Sequence, residues 1–228
     1  KSGSWYFSLT REGQPLIQPY NIFSDCFAAM AFGQLFKATG DASFARLAKD
    51  TFSNILSRSN NPKGNYSKAY PGTRALQSFA LPMILTNLVL EIEPVLDPEL
   101  VQQSINEGID AVINKFYRPE LGVIVESINS DGTLSDSFEG RTVNPGHGLE
   151  SMWFIMDLAE KKGDKTLMQK AVDIALSLLE YGWDKQYGGI YYFRDIKGNP
   201  PLQLEWDQKL WWVHLEALIA MLKGYLHT

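Results

Sequence analysis

Two similar stretches of the sequence are Lys-Ala-Thr-Gly-Asp-Ala-Ser-Phe at residues 37–44 and Lys-Lys-Gly-Asp-Lys-Thr-Leu at residues 161–167. Each stretch contains a glycine followed by an aspartate. Glycine readily adopts the left-handed conformation that ends a helix, and an aspartate side chain caps the N-terminus of the next helix. The two stretches therefore predict two antiparallel helix pairs, each joined by a tight turn.

Helical periodicity surrounds these turns and extends along most of the chain. It predicts seven helices, over residues 24–39, 42–58, 75–91, 98–116, 147–161, 165–181 and 207–225. Three β-rich runs that lead into glycine-containing turns predict small β-hairpins in the long loops, at residues 5–13, 123–132 and 190–198. A helix pair followed by a long loop with a hairpin is thus a unit that recurs about every 50 to 70 residues.

Such a repeat is typical of all-helical repeat proteins, whose units stack as an open solenoid or curl into a toroid of inner and outer helices. We favour the toroid, because the long loops all follow the second helix of a pair and would meet at one mouth. The wide apolar stripes of the helices also fit an inner ring packed on an outer ring. Since seven helices do not close a ring of six pairs, the ring is expected to be incomplete in this chain.

Composition excludes several classes of partner. The 228 residues carry a net charge of −5 with dispersed basic residues, so the chain lacks the basic patch that binds nucleic acid or an anionic membrane. The longest apolar run, at residues 79–89, is interrupted by polar residues and is too short to span a bilayer.

Cys26 is the single cysteine, which favours a reducing, cytoplasmic compartment, and its place on an apolar helix face predicts a buried, unreactive thiol. Because the first residue is Lys1, the natural N-terminus is expected to lie upstream.

The residues that carry chemistry gather on two of the predicted helices. Residues three and four apart share a helix face, so His147, Glu150 and Trp153 form one ridge, while Trp212 and Glu216 form another. A purely apolar core does not need imidazole or carboxylate groups, and an indole ring packs well on the C–H face of a sugar. The two ridges therefore predict a pocket that stacks a sugar ring and moves a proton.

His147 is the candidate base, because the pKa of an unperturbed imidazole lies near neutrality. It lies in the first turn of a helix, where the N-terminus favours the neutral ring, and Glu150 could orient this ring or bind a hydroxyl. His214 and Glu216 cannot share a helix face, so one is expected to face the pocket while the other braces it. No metal is expected, since the chain lacks a second His-x-x-Glu pair or a cysteine cluster.

These segments together resemble the N-acylglucosamine 2-epimerase family, whose vertebrate members are also called renin-binding proteins. The resemblance covers nearly the whole chain. It rests on Asn-Pro-Gly-His at 144–147 with Glu150 and Trp153, and on the segments 10–15, 22–27, 203–206 and 209–217.

The resemblance implies an all-α (α/α)6 toroid, with residues 1–228 as part of a single epimerase domain that lacks the family's N-terminal and C-terminal helices. It implies that the open-chain sugar loses and regains the proton beside its carbonyl group. The residues expected in this chemistry are His147 as an acid/base, Glu216 as a catalytic carboxylate and Glu150 as a supporting group. The expected sugar contacts are Trp153, Trp212 and His214.

The resemblance also predicts the substrate and the assembly. We expect interconversion of N-acetylglucosamine and N-acetylmannosamine for sialic acid metabolism, by a homodimer that needs no cofactor for the chemistry. Whether a nucleotide activates it, as in some relatives, stays open. The family's essential arginine and second catalytic histidine have no counterpart here, so the fragment alone is expected to be inactive.

Three other functions remain open at this point. One is a cellobiose or mannose epimerase, or an aldose–ketose isomerase, of the same fold. Another is a non-catalytic, protein-binding helical repeat. The third is a toroidal glycoside hydrolase that uses Glu150 and Glu216 as its carboxylate pair, which would leave His147 without a role.

Overall fold

The computed structural model describes residues 3–17, 21–64, 70, 73 and 75–228. Their helices are α1 (Ile22–Thr39), α2 (Ala42–Arg58), α3 (Ala80–Glu91), α4 (Pro98–Ile109), α5 (Phe138–Arg141), α6 (Pro145–Lys162), α7 (Lys165–Gly182) and α8 (Trp211–His227). The chain divides into two compact units, Lys1–Thr73 with Asn87–Ser104, and Arg74–Thr86 with Ile105–Thr228. None of the helices in the described residues is both long enough and apolar enough to cross a membrane.

Both glycine–aspartate turns form as the sequence predicts. Gly40 has a φ of 71° and ends α1, and the Asp41 side chain accepts the Ser43 N–H at 2.8 Å to cap α2. Gly163 has a φ of 64° and ends α6, while Asp164 caps α7. Since only glycine enters this backbone region without strain, the two turns fix where each helix pair reverses.

In the first unit, a buried carboxylate ties the N-terminal segment to the α1–α2 pair. Asp25 on α1 pairs with Arg58 and accepts the Trp5 backbone N–H at 2.6 Å, and the Trp5 indole N–H donates to Thr51 at 3.2 Å. A buried charge is tolerated when it is paired and hydrogen-bonded in this way. The neighbouring Cys26 is fully buried, as predicted.

In the second unit, α6 packs against both α7 and α8. Most of its side chains are buried, among them Leu149, Met152, Phe154, Ile155, Met156 and Leu158. Its N-terminus is set by Asn144, whose side chain accepts the His147 backbone N–H, and by Pro145 at the first helical position. The helix therefore begins two residues before the predicted start and is the central support of this unit.

Six short strands form three antiparallel pairs in the second unit: β1 (Leu76–Ser78) with β4 (Ser127–Asn129), β2 (Tyr117–Arg118) with β3 (Val123–Ile124), and β5 (Thr142–Val143) with β6 (Arg194–Asp195). The loops thus carry short strands as predicted, but residues 127–129 and 194–195 pair with distant segments rather than within local hairpins. The reason is burial, because Ile128 and Val143 are fully buried at these pairings. In the first unit, the hairpin predicted at residues 5–13 does not form as a pair of strands, and a single antiparallel β-bridge joins Leu9 to Pro15 instead.

The helix boundaries agree with the predicted ones to within two residues except at three places. The third helix starts at Ala80 rather than at residue 75, because β1 occupies residues 76–78. The fourth ends as a π-helical turn over Asp110–Phe116, and the last starts at Trp211 rather than at residue 207. The one-turn helix α5 was not predicted, because four residues are too few to show a helical period.

Cys26 is expected to resist alkylation in the folded protein. Its burial, together with the charge of Asp25, raises the pKa of the thiol to about 12, and only the thiolate is nucleophilic. Iodoacetamide labelling followed by mass spectrometry should modify Cys26 in guanidinium chloride and leave it unmodified in buffer at neutral pH. Rapid labelling under native conditions would contradict the buried position of this thiol.

Two glycines of the second unit are expected to respond oppositely to alanine. A Cβ at Gly146 would lie 2.7 Å from the Trp212 ring, whereas one at Gly224 would meet Val172 and Met156 at ordinary distances of 3.4 Å and beyond. Gly146→Ala should lower the free energy of unfolding by about 1–3 kcal/mol through overpacking. Gly224→Ala, the matched control, should raise it by up to about 1 kcal/mol through helix propensity. Thermal and denaturant unfolding of both variants measures this difference, and equal effects would show that Trp212 does not press on α6.

Candidate active site

One ridge of α6 remains partly exposed while the residues around it are buried. It consists of His147, Glu150, Trp153 and Asp157, at the three- and four-residue spacing of a helix face. The predicted ridge of three residues therefore exists and extends by one turn. Asp157 forms an ion pair with Lys223 of α8, and this ammonium group lies 5.3 Å from the centre of the Trp153 ring.

The predicted ridge of α8 meets the ridge of α6. The Trp153 indole N–H donates to a carboxylate oxygen of Glu216 at 2.7 Å. The rings of His147 and Trp212 lie 5.6 Å apart, centre to centre. The structure thus brings the two ridges together in one cluster of an imidazole, two carboxylates and two indoles.

Sequence reasoning missed a further member of this cluster, Glu126. Both of its carboxylate oxygens lie 3.1 Å from Nδ1 of His147. The side chains of His147 and Glu126 are 27% and 18% exposed, so the contact is largely shielded from solvent. The one sequence signal was a lone carboxylate after the apolar run Val123-Ile-Val, and such a residue is not distinguished by periodicity from any solvent-facing strand residue.

The carboxylates change the proton affinities of the cluster. Burial, the charge of Glu216 and, more weakly, that of Glu126 raise the pKa of Glu150 to about 7, although His147 acts in the opposite direction. Burial lowers the pKa of His147, but the charge and hydrogen bond of Glu126 outweigh it, so this pKa is raised above its ordinary value. From the sequence, the helix N-terminus was expected to favour the neutral imidazole. The Glu126 carboxylate, which contacts the ring, instead favours the protonated imidazole.

His214 holds the loop between α7 and α8. Its Nδ1 lies 2.7 Å from the Leu210 carbonyl oxygen, and its Nε2 accepts the Ile190 backbone N–H at 3.0 Å. Because backbone groups occupy both ring nitrogens, this geometry favours the bracing role for His214 and leaves Glu216 as the residue that faces the cluster. Its predicted contact with a sugar stays a prediction.

The same loop places aromatic rings beside the cluster. Tyr192 lies edge-on to Trp212, with ring centres 5.9 Å apart, and the neighbouring Tyr191 packs on Trp206 at 5.7 Å. Tyr191 and Trp206 line a cavity of about 280 Å³ whose lining does not include His147. In the part of the chain that the structure describes, no group of three or more His, Cys, Asp or Glu side chains is arranged to hold a metal ion.

The arrangement has the parts that proton transfer on a carbonyl compound requires. It combines an imidazole whose ring is held by a carboxylate, a second carboxyl group whose pKa is about 7, and flat aromatic rings beside them. Within the described residues, the ring of His147 forms its hydrogen bonds through Nδ1 and none through Nε2.

Known proteins share the sequence family and the fold of this chain. The family model for N-acylglucosamine 2-epimerase (GlcNAc 2-epimerase) matches residues 1–228. The N-acylglucosamine 2-epimerase of Bos taurus is 38% identical over 226 residues, which are 97% of this chain and 53% of that protein. The human protein of the same name is 34% identical over 223 residues, covering 96% of this chain and 52% of its own length. The chain thus spans about half the length of these relatives.

Solved structures with lower identity share the fold. The cellobiose 2-epimerase of Bacillus thermoamylovorans superimposes with a TM-score of 0.79 at 18% identity, covering 99% of this chain and 60% of that chain. A sugar epimerase from a ruminal bacterium gives a TM-score of 0.74 at 17% identity, covering 95% and 57%. These likenesses show the (α/α)6 helical fold predicted from the sequence, but a fold alone does not determine a reaction. The family model and the curated relatives do show kinship, and the chain belongs to the N-acylglucosamine 2-epimerase family.

Proposed function

We propose that this chain carries part of the active site of a 2-epimerase that interconverts N-acetylglucosamine and N-acetylmannosamine through the open-chain sugar. The observation that supports it most directly is the position of His147, whose ring lies between the Glu126 carboxylate and the Trp212 indole. Membership of the family supports the substrate class. Residues 1–228 would then form part of a single epimerase domain.

In the proposed reaction, His147 takes the proton from C2 of the open-chain sugar. The electron pair of the C–H bond then forms the C1–C2 double bond of an enolate whose C2 carries the acetamido group, and the carbonyl oxygen at C1 takes up the negative charge. Donation of a proton to the opposite face of C2 by a second acid gives the epimer, and the family resemblance gives this role to a histidine that has no counterpart in these 228 residues. Imidazole suits this step because it exchanges protons near neutral pH.

Two carboxyl groups with different surroundings suit the opening of the sugar ring, which needs one group to accept the O1 proton and another to donate a proton to O5. Glu150 still holds its proton for part of the time at neutral pH, since its pKa is about 7. Glu216 accepts the Trp153 indole N–H at 2.7 Å, which holds its carboxylate beside Glu150. We assign donation to Glu150 and acceptance to Glu216.

The rings of Trp212 and Tyr192 would contact the sugar. They stand at 86° to each other, so a sugar face that packs on one ring meets the edge of the other. Aromatic rings bind the C–H faces of sugars through such contacts. Trp153 is assigned a sugar contact as well as its hydrogen bond to Glu216.

The proposal includes the cellular setting. A role in sialic acid metabolism, a homodimeric assembly and the absence of a chemical cofactor follow from the family resemblance and stay predictions. A cytoplasmic location is supported by the single, buried Cys26, since cysteines that are left unpaired are typical of reducing compartments.

Replacement of His147 tests the proposed chemistry. In heavy water, the protein at its natural full length should incorporate deuterium at C2 of N-acetylmannosamine, and His147→Gln should slow this exchange by about 100-fold or more. Proton NMR of the C2 position measures the rate. The control is His227→Gln, because His227 lies at the end of α8 with Glu160, 3.8 Å away, as its ion-pair partner, and it should exchange at the wild-type rate.

The same assay separates the rival functions. Exchange into cellobiose or mannose but not into N-acetylmannosamine would assign the protein to the neighbouring epimerases of the same fold. A wild-type protein that exchanges deuterium into none of these sugars would contradict catalysis and favour a protein-binding role.

Glu150 should destabilise the folded protein as the pH rises. Its pKa is raised from 4.5 to about 7 on folding, so the folded state binds this proton more tightly than the unfolded state. The protonated carboxyl group of Glu150 therefore stabilises the folded state relative to the ionised group. This contribution is fully present below pH 4.5 and is lost as the pH rises through about 7. Glu150→Gln should therefore unfold like the wild type in acid and be more stable above neutrality, by about 2–3 kcal/mol.

Denaturant unfolding at several pH values measures this difference. The matched control is Glu180→Gln, since Glu180 is an exposed partner of Lys185 and should change stability by less than about 0.5 kcal/mol. If Glu150→Gln has the same stability difference from the wild type at every pH, Glu150 does not hold a proton near neutrality.

A further inference from the structure

We propose that Glu126 is a positioning residue for His147. Its carboxylate accepts the Nδ1 proton, fixes the orientation and tautomer of the ring, and leaves Nε2 as the atom that takes up a proton. The catalytic consequence rests on the proposed function, whereas the state of the ring can be measured without any substrate.

The tautomer follows from the chemistry of the two groups. A neutral imidazole has one N–H donor and one acceptor nitrogen, and an ionised carboxylate can only accept. Because both oxygens of Glu126 lie 3.1 Å from Nδ1 of His147, the proton of the neutral ring must lie on Nδ1. The lone pair then lies on Nε2, at the other side of the ring.

The backbone holds Glu126 in place. Its N–H donates to the Thr142 carbonyl oxygen at 2.9 Å, and its own carbonyl oxygen accepts the Phe79 N–H at 3.0 Å. The preceding Val125 is fully buried. The carboxylate therefore projects from a segment fixed on both sides, so little conformational entropy remains to be lost when it binds the imidazole.

The imidazole is held equally well from its own side. The His147 backbone N–H is bound by Asn144 at 3.2 Å, and its ring packs on Trp212. Because Glu126 and the His147 ring are both held in place before a substrate binds, the lone pair of Nε2 has a fixed direction. Such preorganisation is what a base needs to act at a single carbon atom.

Other ionisable groups surround the ring but do not bind it. Glu150 faces it from α6, Glu216 acts from α8 through Glu150, and Tyr192 approaches Glu126 from the loop before β6. Among the described residues, Glu126 alone is hydrogen-bonded to the imidazole. Its removal should therefore change the tautomer of His147, whereas removal of the other groups should change only the surrounding charge.

The test is nitrogen NMR of the full-length protein labelled with ¹⁵N in its histidines, with the His147 signals identified by their loss in His147→Gln. The wild type should show a neutral ring protonated on Nδ1. Glu126→Gln should keep this tautomer, because the amide oxygen still accepts, but its titration midpoint should move to lower pH, because the negative charge is gone. Glu126→Ala should lose both features, and Glu180→Gln should change neither.

Kinetics provide the second readout. Because the base is weaker in Glu126→Gln, kcat for C2 exchange should fall about tenfold, with little change in KM, and the acidic limb of the pH profile should move to lower pH. A residue that merely stabilised the fold would not move this limb.

The outcomes separate the two proposals. A wild-type His147 protonated on Nε2, or an unchanged midpoint in Glu126→Gln, would overturn the role of Glu126 even in an active epimerase. A wild-type protein with the expected tautomer but without C2 exchange would instead overturn the proposed function. If Glu126→Ala fails to fold, the tautomer of the wild type and the titration midpoint of Glu126→Gln still test the role of Glu126.

Discussion

The close approach of α8 to the beginning of α6 is the constraint on which the site depends. Gly146 leaves the space that the Trp212 ring fills, since a Cβ there would lie 2.7 Å from the indole. One turn further along α8 and two turns further along α6, the Trp153 indole N–H binds Glu216 across the same interface. The two contacts fix the distance and the rotation of α8, and the side chains of both ridges therefore meet without a ligand.

The charges of this interface are unbalanced, and this imbalance shifts the pKa values of its side chains. The carboxylates of Glu126 and Glu150 act on one imidazole, that of His147, and Glu216 in turn acts on Glu150. Mutual repulsion and burial leave Glu150 with a pKa of about 7, while the direct contact with Glu126 raises the pKa of His147. Glu150, with a pKa of about 7, and His147, with a raised pKa, thus lie on one face of α6, and strongly perturbed pKa values of this kind cluster at functional sites.

The loops are as important to this arrangement as the helices. The β5–β6 pairing joins the segment before α6 to the loop before α8, and His214 binds this loop to the first turn of α8 through Ile190. Tyr192 is thereby held against Trp212. Short strands contribute few hydrogen bonds, but they place aromatic rings that a free loop of this length would leave mobile.

Local patterns in the sequence determined the helices, both glycine–aspartate turns and the two ridges, because helix periodicity and capping depend on residues within about four positions of each other. The family motifs added the (α/α)6 form of the fold and the expected roles of Glu150 and Trp153, which lie on the same helix as His147. Only the tertiary structure decided that Glu126 binds His147, that residues 127–129 and 194–195 pair with distant strands, and that His214 binds the backbone. Glu126 and His147 are 21 residues apart, and their contact depends on how the strands around Glu126 pair and pack. Local sequence patterns do not show which strands pair with each other, because the pairing is determined by the burial of apolar residues from the whole unit.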